Sequence, residues 1–187
     1  MRKVTFGVAN SLDNFIARTD HAVDWLLGSS DVTALMKEFW QTIDTVVMGR
    51  KTYEVARKQR GSAASPGVMT YVCSRTLRTS PEKNVEVVAR DAGAFLRELK
   101  TQDGKGICVM GGGELAQALF EADVIDEVGL NVHPVLLGSG IPLFLPMKRQ
   151  VDLELLEARA LKKGCVLLMY RVKHRARAAK RTRRAST

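Results

Sequence analysis

Three short apolar runs in this sequence each stop at a residue that turns the chain. Thr45–Met48 ends at Gly49, Val68–Cys73 at Ser74, and Ile107–Met110 at Gly111. A continuous apolar run of four to six residues reads as a strand covered on both faces, the habit of a parallel sheet. After Gly49 and Gly111 the pattern switches to helical spacing. Leu115, Ala118, Leu119 and Ala122 fall on one face of a helix expected over 114–122. Parallel strands need long crossovers, and helices supply them. The alternation therefore predicts a three-layer α/β/α sheet.

The remaining segments fit that frame. Lys3–Ala9 reads as the first strand, Phe15–Ala17 as a short return, and Val85–Val88 and Glu127–Val132 as further strands. Leu35, Met36, Phe39, Trp40 and Ile43 define a helix over 32–43, with Ser29, Ser30 and Asp31 offering cap oxygens. Helices over 51–59 and 92–100 complete the set, the latter capped by Asp91. Leu153–Leu161 and Cys165–Val172, joined by Lys162-Lys163-Gly164, read as a hairpin. The expectation is about eight strands, mostly parallel, ending in an antiparallel C-terminal hairpin, with four main helices in one domain over 1–172.

Charge divides the chain differently. The net charge is +9, but eight of the 29 basic residues lie within 171–187, which hold no acid. The body, with 21 basic and 20 acidic residues, is close to neutral. Residues 173–187 have almost no bulky apolar side chain and read as a disordered basic tail. Contact with RNA or another polyanion is its alternative reading. No apolar run approaches the ~18 residues of a membrane span. Cys73, Cys108 and Cys165 are widely spaced within apolar stretches, as in a reduced cytoplasmic protein. No C-x-x-C or other metal-ligand spacing occurs.

The chemistry concentrates at the strand ends. In a doubly wound sheet, ligands bind beyond the carboxyl ends of the strands. Gly49-Arg50-Lys51-Thr52 places two cations and a hydroxyl where a helix begins, a setting that favours a phosphate. Gly111-Gly112-Gly113-Glu114 repeats the turn sixty-odd residues later. Two such turns imply a nucleotide with more than one phosphate group. The second turn formally fits G-x-G-x-x-A, but it is not in the first βαβ unit. The acidic partner about twenty residues on is replaced by Asn131, Val132 and His133. The dinucleotide fingerprint fails on both counts, and no P-loop motif is present.

Met48–Glu54, Ser74-Arg75-Thr76-Leu77 and Gly111–Glu114, in that order, resemble the cofactor segments of dihydrofolate reductases. Ser11–Ala17 with Asp24-Trp25, and Pro134–Phe144, resemble one branch of that superfamily. That branch holds the reductase domain of bacterial riboflavin biosynthesis and its stand-alone relatives. The resemblance spans about residues 2–172. It implies NADPH lying extended along the strand ends. Ala9 and Ile16 would flank the nicotinamide. Gly49, Arg50, Lys51 and Thr52 would hold phosphates. Ser74 and Arg75 would meet the 2′-phosphate or adenine, and Gly111, Gly112, Gly113 and Glu114 the pyrophosphate.

The acceptor side is less specified. The resemblance makes Asp31 the candidate carboxylate near the substrate, against a plain role as helix cap. Asp24 and Trp25 are candidate substrate-loop residues, with a core tryptophan as the alternative for Trp25. His133 reads as structural and His21 as inert. The implied activity is hydride transfer to a small heterocyclic or carbonyl substrate, of the 5-amino-6-(5-phosphoribosylamino)uracil reductase type. A true dihydrofolate reductase is the second reading, and it requires Asp31 to face the pocket. A non-catalytic nucleotide-binding protein with a polyanion-binding tail is the third. The zinc-binding H-x-E and P-C-x-x-C pattern of the riboflavin deaminase half does not occur in the chain. Homodimers are common in this branch, and the apolar C-terminal hairpin is the candidate interface.

Overall fold

The computed structural model describes residues 1–63 and 65–174. In chain order the elements are β1 (Val4–Ser11), β2 (Phe15–Ala17), α1 (Ser30–Gln41), β3 (Ile43–Gly49), α2 (Arg50–Arg60), β4 (Met69–Cys73) and β5 (Val85–Val88). There follow α3 (Ala92–Thr101), β6 (Gly106–Met110), α4 (Gly113–Glu121), β7 (Glu127–His133), β8 (Ile141–Pro142), β9 (Leu153–Ala160), a 3₁₀ turn Lys162–Gly164, and β10 (Val166–Val172).

Eight strands form one sheet in the order β5-β4-β3-β6-β1-β7-β10-β9. The pairs from β5 through to β7 are parallel, and β10 joins β7 and β9 antiparallel. This is the expected mostly parallel sheet with an antiparallel end. The pleat divides β3 between two cores. Val47 packs with Phe95, Leu96, Leu119 and Phe120 of α3 and α4. Val46 and Met48 pack with Tyr53 of α2 and with Phe39 and Trp40 of α1. Two helices therefore cover each face.

The connection order sets the site. After β3 the chain moves outward through α2 to β4 and β5. It returns through α3 to place β6 between β3 and β1, then leaves through α4 to β7 on the far side. The crossovers from β3 and β6 diverge, and this is the switch point at which an open sheet leaves a crevice.

Most boundaries shift by a residue or two from the sequence expectation, and three differences have a clear cause. β1 runs on to Ser11, because Asn10 and Ser11 stay in register with Val132 and His133 of β7. α1 stops at Gln41 rather than 43, because the Thr42 amide and hydroxyl both turn back onto the Phe39 carbonyl; Ile43 then starts β3 opposite Gly106. Phe15–Ala17, the expected short return, pairs with β8 in a two-stranded ribbon apart from the main sheet. The tail expectation lies, from residue 175 onward, outside the described residues. Before that point the chain is anchored: the Lys173 amide donates to the Asp152 carbonyl, and His174 meets Asp126 at 3.0 Å.

Candidate functional site

A groove of about 930 Å³ runs along the carboxyl ends of β1, β3, β4 and β6. Gly49, Arg50, Lys51, Thr52, Ser74, Arg75, Gly111, Gly112, Gly113, Glu114 and Ile16 all line it. One cavity thus gathers eleven of the twelve positions assigned to the cofactor from sequence. Its size is in the range of small-molecule and cofactor sites.

The two glycine turns face each other across the switch point, and their helices differ from the other two. α1 and α3 are capped by the side chains of Ser29 and Asp91. α2 and α4 start at Gly49 and Gly112 with no side-chain cap. The first N–H groups of a helix need partners; the Gly113 amide finds the Leu143 carbonyl at 3.3 Å, and both helix starts line the groove, where the helix dipole favours an anion.

Backbone shape explains the second turn. Gly111 has φ +90° and Gly113 φ +61°. A Cβ on Gly111 would run into the Thr52 hydroxyl, and one on Gly112 would lie 2.8 Å from the Leu143 carbonyl oxygen. The turn is therefore packed to within a methyl group of the first turn. Gly49 is different. Its φ is −80°, and a Cβ there would meet nothing closer than 3.9 Å.

The cations are lightly held. Arg50 pairs with Glu54 one turn on, at 2.7 Å. Lys51 stands 4.0 Å from Glu114 across the groove mouth, both side chains being largely exposed. Exposed pairs of this kind contribute about 0–1 kcal/mol, so either lysine or arginine can turn to a ligand at little cost. Arg75 is exposed and makes no ion pair among the described residues. Ser74 accepts from the Leu77 amide at 2.9 Å and the Thr76 amide at 3.2 Å, which fixes the loop that carries Arg75.

Several groove residues escaped the sequence reading. Val8 lines it instead of Ala9. Strand alternation explains this, since Ala9 shares the opposite face with Gly7, whose Cβ position lies 4.0 Å from the Phe39 ring. His21, read as inert, lines the groove with Val23. Arg90 and Asp91 close the far end, and Arg90 is held by Glu98 at 2.6 Å. Ile141 and Pro142 come from the ribbon, which no local pattern announced.

The acceptor-side candidates lie elsewhere. Asp31 sits in the first turn of α1, outside the groove lining. Its carboxylate accepts from the Ser29 hydroxyl, the Lys162 amide at 2.6 Å and the Val32 amide at 3.0 Å. Those bonds, the Ser29 hydroxyl first, hold its pKa down to about 2. A carboxylate so satisfied stays ionised near neutrality and ties α1 to the C-terminal hairpin. Asp24 forms a two-pronged pair with Arg18, at 2.7 and 3.2 Å. The pair braces the loop that brings His21 and Val23 to the groove. Trp25 is buried edge-to-face against His133, ring centres 5.3 Å apart. Asp13, within the Ser11–Ala17 motif, accepts from the Leu137 and Gly138 amides at 3.1 and 2.7 Å, tying the first loop to the loop before β8. No cluster of side chains suited to a metal occurs among the described residues. No helix among them is long and apolar enough to cross a membrane.

Fold and groove together define a domain with the dihydrofolate reductase-like fold. The chain belongs to the family described as the RibD C-terminal domain, whose model matches residues 2–167. It is 36% identical over 157 residues to YwjB of Bacillus subtilis (strain 168), covering 82% of this chain and 89% of that one. It is 27% identical over 180 residues to YyaP of the same organism, covering 90% and 94%. Both are described only as uncharacterised proteins. Among solved structures, a protein of Shewanella sp. PV-4 provisionally assigned to riboflavin biosynthesis superposes with a TM-score of 0.78 at 24% identity, over 93% of this chain and all of that one. The Thermotoga maritima diaminohydroxyphosphoribosylaminopyrimidine deaminase/5-amino-6-(5-phosphoribosylamino)uracil reductase superposes with a TM-score of 0.69 at 16% identity, over 92% of this chain and 57% of that one. These likenesses establish the fold.

Proposed function

We propose that this chain is an NADPH-dependent reductase of the riboflavin-biosynthesis type, passing a hydride to a small heterocyclic or carbonyl substrate. The observation that carries it is the pair of helix N-termini without side-chain caps at Gly49 and Gly112, set across the switch point among exposed, loosely paired cations. That donor set suits a pyrophosphate and a further phosphate, and the cradle at Gly111–Gly113 admits backbone-close approach. NADPH, when bound, supplies the hydride from its nicotinamide ring. The chain's part is to bind and orient it. The turn amides take the pyrophosphate, Arg50 and Arg75 take the 2′-phosphate with Ser74, and Val8 and Ile16 give the ring an apolar wall. Excluding water there strengthens every charge interaction in the groove.

The RibD family supports an oxidoreductase, and the name of the Thermotoga relative supports an amino-uracil type of acceptor. The dihydrofolate reading needs Asp31 at the pocket. Its bonds to Ser29, Val32 and Lys162 favour the helix-capping role instead. The tail reading lies largely outside the described residues.

Arg75→Ala tests the cofactor reading. A charge-assisted bond to phosphate contributes about 1.5–3 kcal/mol, so NADPH affinity is expected to fall about 10- to 100-fold. NADH affinity should change less than about threefold. Calorimetric titration of both cofactors checks this, and an equal loss for both would remove the 2′-phosphate assignment.

We also infer a homodimer, working in the cytoplasm. All eight residues of β9 are exposed, Leu153, Leu155 and Leu156 by 41%, 55% and 41%. β9 is the outermost strand of the sheet, and exposed leucines on an open edge invite pairing. Leu155→Glu is expected to convert the particle to a monomer in light scattering. A wild-type protein that is already monomeric would sink the inference.

A further inference from the structure

The groove is polar along most of its length and apolar at one end. Apart from one imidazole, every charged, hydroxyl or thiol side chain in its lining comes from the ends of β3, β4, β5 and β6 or the residues that follow them. The other end is built by β1, the β2–β8 ribbon and the loop after β2. It presents Val8, Ile16, Ala17, Val23, Ile141 and Pro142. Among them stands that imidazole, His21, the one side chain of this end that can give up a proton.

The loop that carries His21 is braced. The Arg18 amide donates to the Ala22 carbonyl at 2.9 Å, and the His21 amide to the Arg18 carbonyl at 3.0 Å. The Asp20 carboxylate accepts from the Ala22 amide at 2.9 Å, and Arg18 pairs with Asp24 at 2.7 Å. The charged groups of the loop, Arg18, Asp20 and Asp24, are thus engaged. Within this frame His21 takes φ +68°. That is a left-handed state which few residues other than glycine adopt, and it costs conformational energy. The His21 ring makes no hydrogen bond or ion pair among the described residues, and the residue is exposed. A strained residue on a held loop, its ring unengaged beside an apolar wall, points to a use for the ring.

The reaction has such a use. Adding a hydride to a carbon–oxygen or carbon–nitrogen double bond leaves the heteroatom to be protonated. Imidazole exchanges a proton near neutrality, and a well-placed general acid contributes about 10²–10⁴-fold to the rate. Neither Asp24 nor Asp31 lines the groove.

We propose that His21 is the general acid of the reduction, the side chain that protonates the hydride acceptor. The inference rests on the reductase reading and adds the proton donor to that site. The new C–H bond forms with the electron pair of the hydride. The π bond of the C=O or C=N group breaks onto its heteroatom, which takes the proton from a His21 ring N–H. The acceptor is reduced, the nicotinamide is oxidised, and the exposed ring recovers its proton from water.

The test uses the full-length protein, NADPH and 5-amino-6-(5-phosphoribosylamino)uracil as the acceptor probe. His21→Gln should lower kcat about a hundredfold and leave NADPH affinity unchanged. His21→Gly suits the left-handed backbone and leaves room for a free ring, so added imidazole should restore its kcat at least about tenfold. A ring that only shaped the loop would not be replaced in this way. Proton NMR gives a reading without turnover. The chain has three histidines, and the signal lost in His21→Gln identifies His21. In the wild type loaded with NADP⁺, which has no hydride to give, that signal should move when the acceptor probe is added. An unmoved His21 signal, an unchanged kcat in His21→Gln, or a slowed His21→Gly that imidazole does not revive overturns the inference while the reductase reading stands. A wild type that does not oxidise NADPH with this acceptor removes the reductase reading, and this inference with it.

Discussion

Gly111→Ala is expected to weaken NADPH binding about a hundredfold and to destabilise the fold, while Gly49→Ala does neither to a comparable degree. Gly111 has φ +90°, a conformation that costs a non-glycine residue about 1–3 kcal/mol. Its new Cβ would also press on the Thr52 side chain in the first turn of α2. Relief must come from moving either the Gly111–Gly113 turn or the N-terminus of α2, and the proposed function assigns the cofactor phosphates to both. Misplacement by about 1 Å is enough to cost a factor of about 10² in a site that works by positioning. At Gly49, by contrast, the backbone is ordinary and the nearest atom to a Cβ is Leu115 Cβ at 3.9 Å. The paired alanines therefore separate the conformational role of a glycine from its mere presence in a motif. Fluorescence titration with NADPH and a urea melt of each variant provide the comparison. Equal effects at the two positions would remove the cradle explanation.

Asp126→Ala should cost about 3 kcal/mol of folding stability, a large share of the 5–15 kcal/mol typical of a domain. Asp126 accepts from Lys100 Nζ at 2.6 and 2.7 Å, and from the Val4 amide at 2.8 Å. It ties the end of α3 to the start of β1 and to the approach to β7. Lys100 is only 7% exposed, and without Asp126 its ammonium keeps one partner, the Val124 carbonyl at 3.3 Å. An uncompensated buried charge is the costly product of breaking such a pair. The figure is at the low end of the usual range because the Asp126 side chain remains 26% exposed. Lys100→Met together with Asp126→Ala should recover part of the loss, since the stranded charge is then gone. Urea unfolding measures both. A single variant within 0.5 kcal/mol of wild type would show that the pair is solvated. The NADPH affinity of folded Asp126→Ala should be unchanged, because the pair lies at the opposite ends of the strands from the groove.

Sheet type, the switch-point location and most of the lining of the strand-end groove were legible in the sequence for one reason. Parallel strands buried on both faces are written as unbroken apolar runs, and Val46-Val47-Met48 and Ile107–Met110 end at the very residues that line the groove. Local chemistry also marked the caps at Ser29 and Asp91. What stayed hidden depends on pairing between distant segments. Nothing local in Phe15–Ala17 announces its partner at Ile141–Pro142. The choice of Val8 over Ala9 needed the face of β1, which alternation alone leaves open until a neighbour is known. Asp31 carries a residue type that suits either a cap or an acid, and only the hairpin amide of Lys162 distinguishes them. The pairing of Trp25 with His133 joins segments 108 positions apart, and no motif records it.

Calorimetric titration of NADPH into the full-length protein, with NADH in parallel, probes the groove itself. The expected result is one NADPH per chain at micromolar affinity or better, at least about tenfold tighter than NADH, and lost in Gly111→Ala. Binding of neither dinucleotide at millimolar concentration would mean that the two helix ends without side-chain caps at Gly49 and Gly112 serve some other ligand.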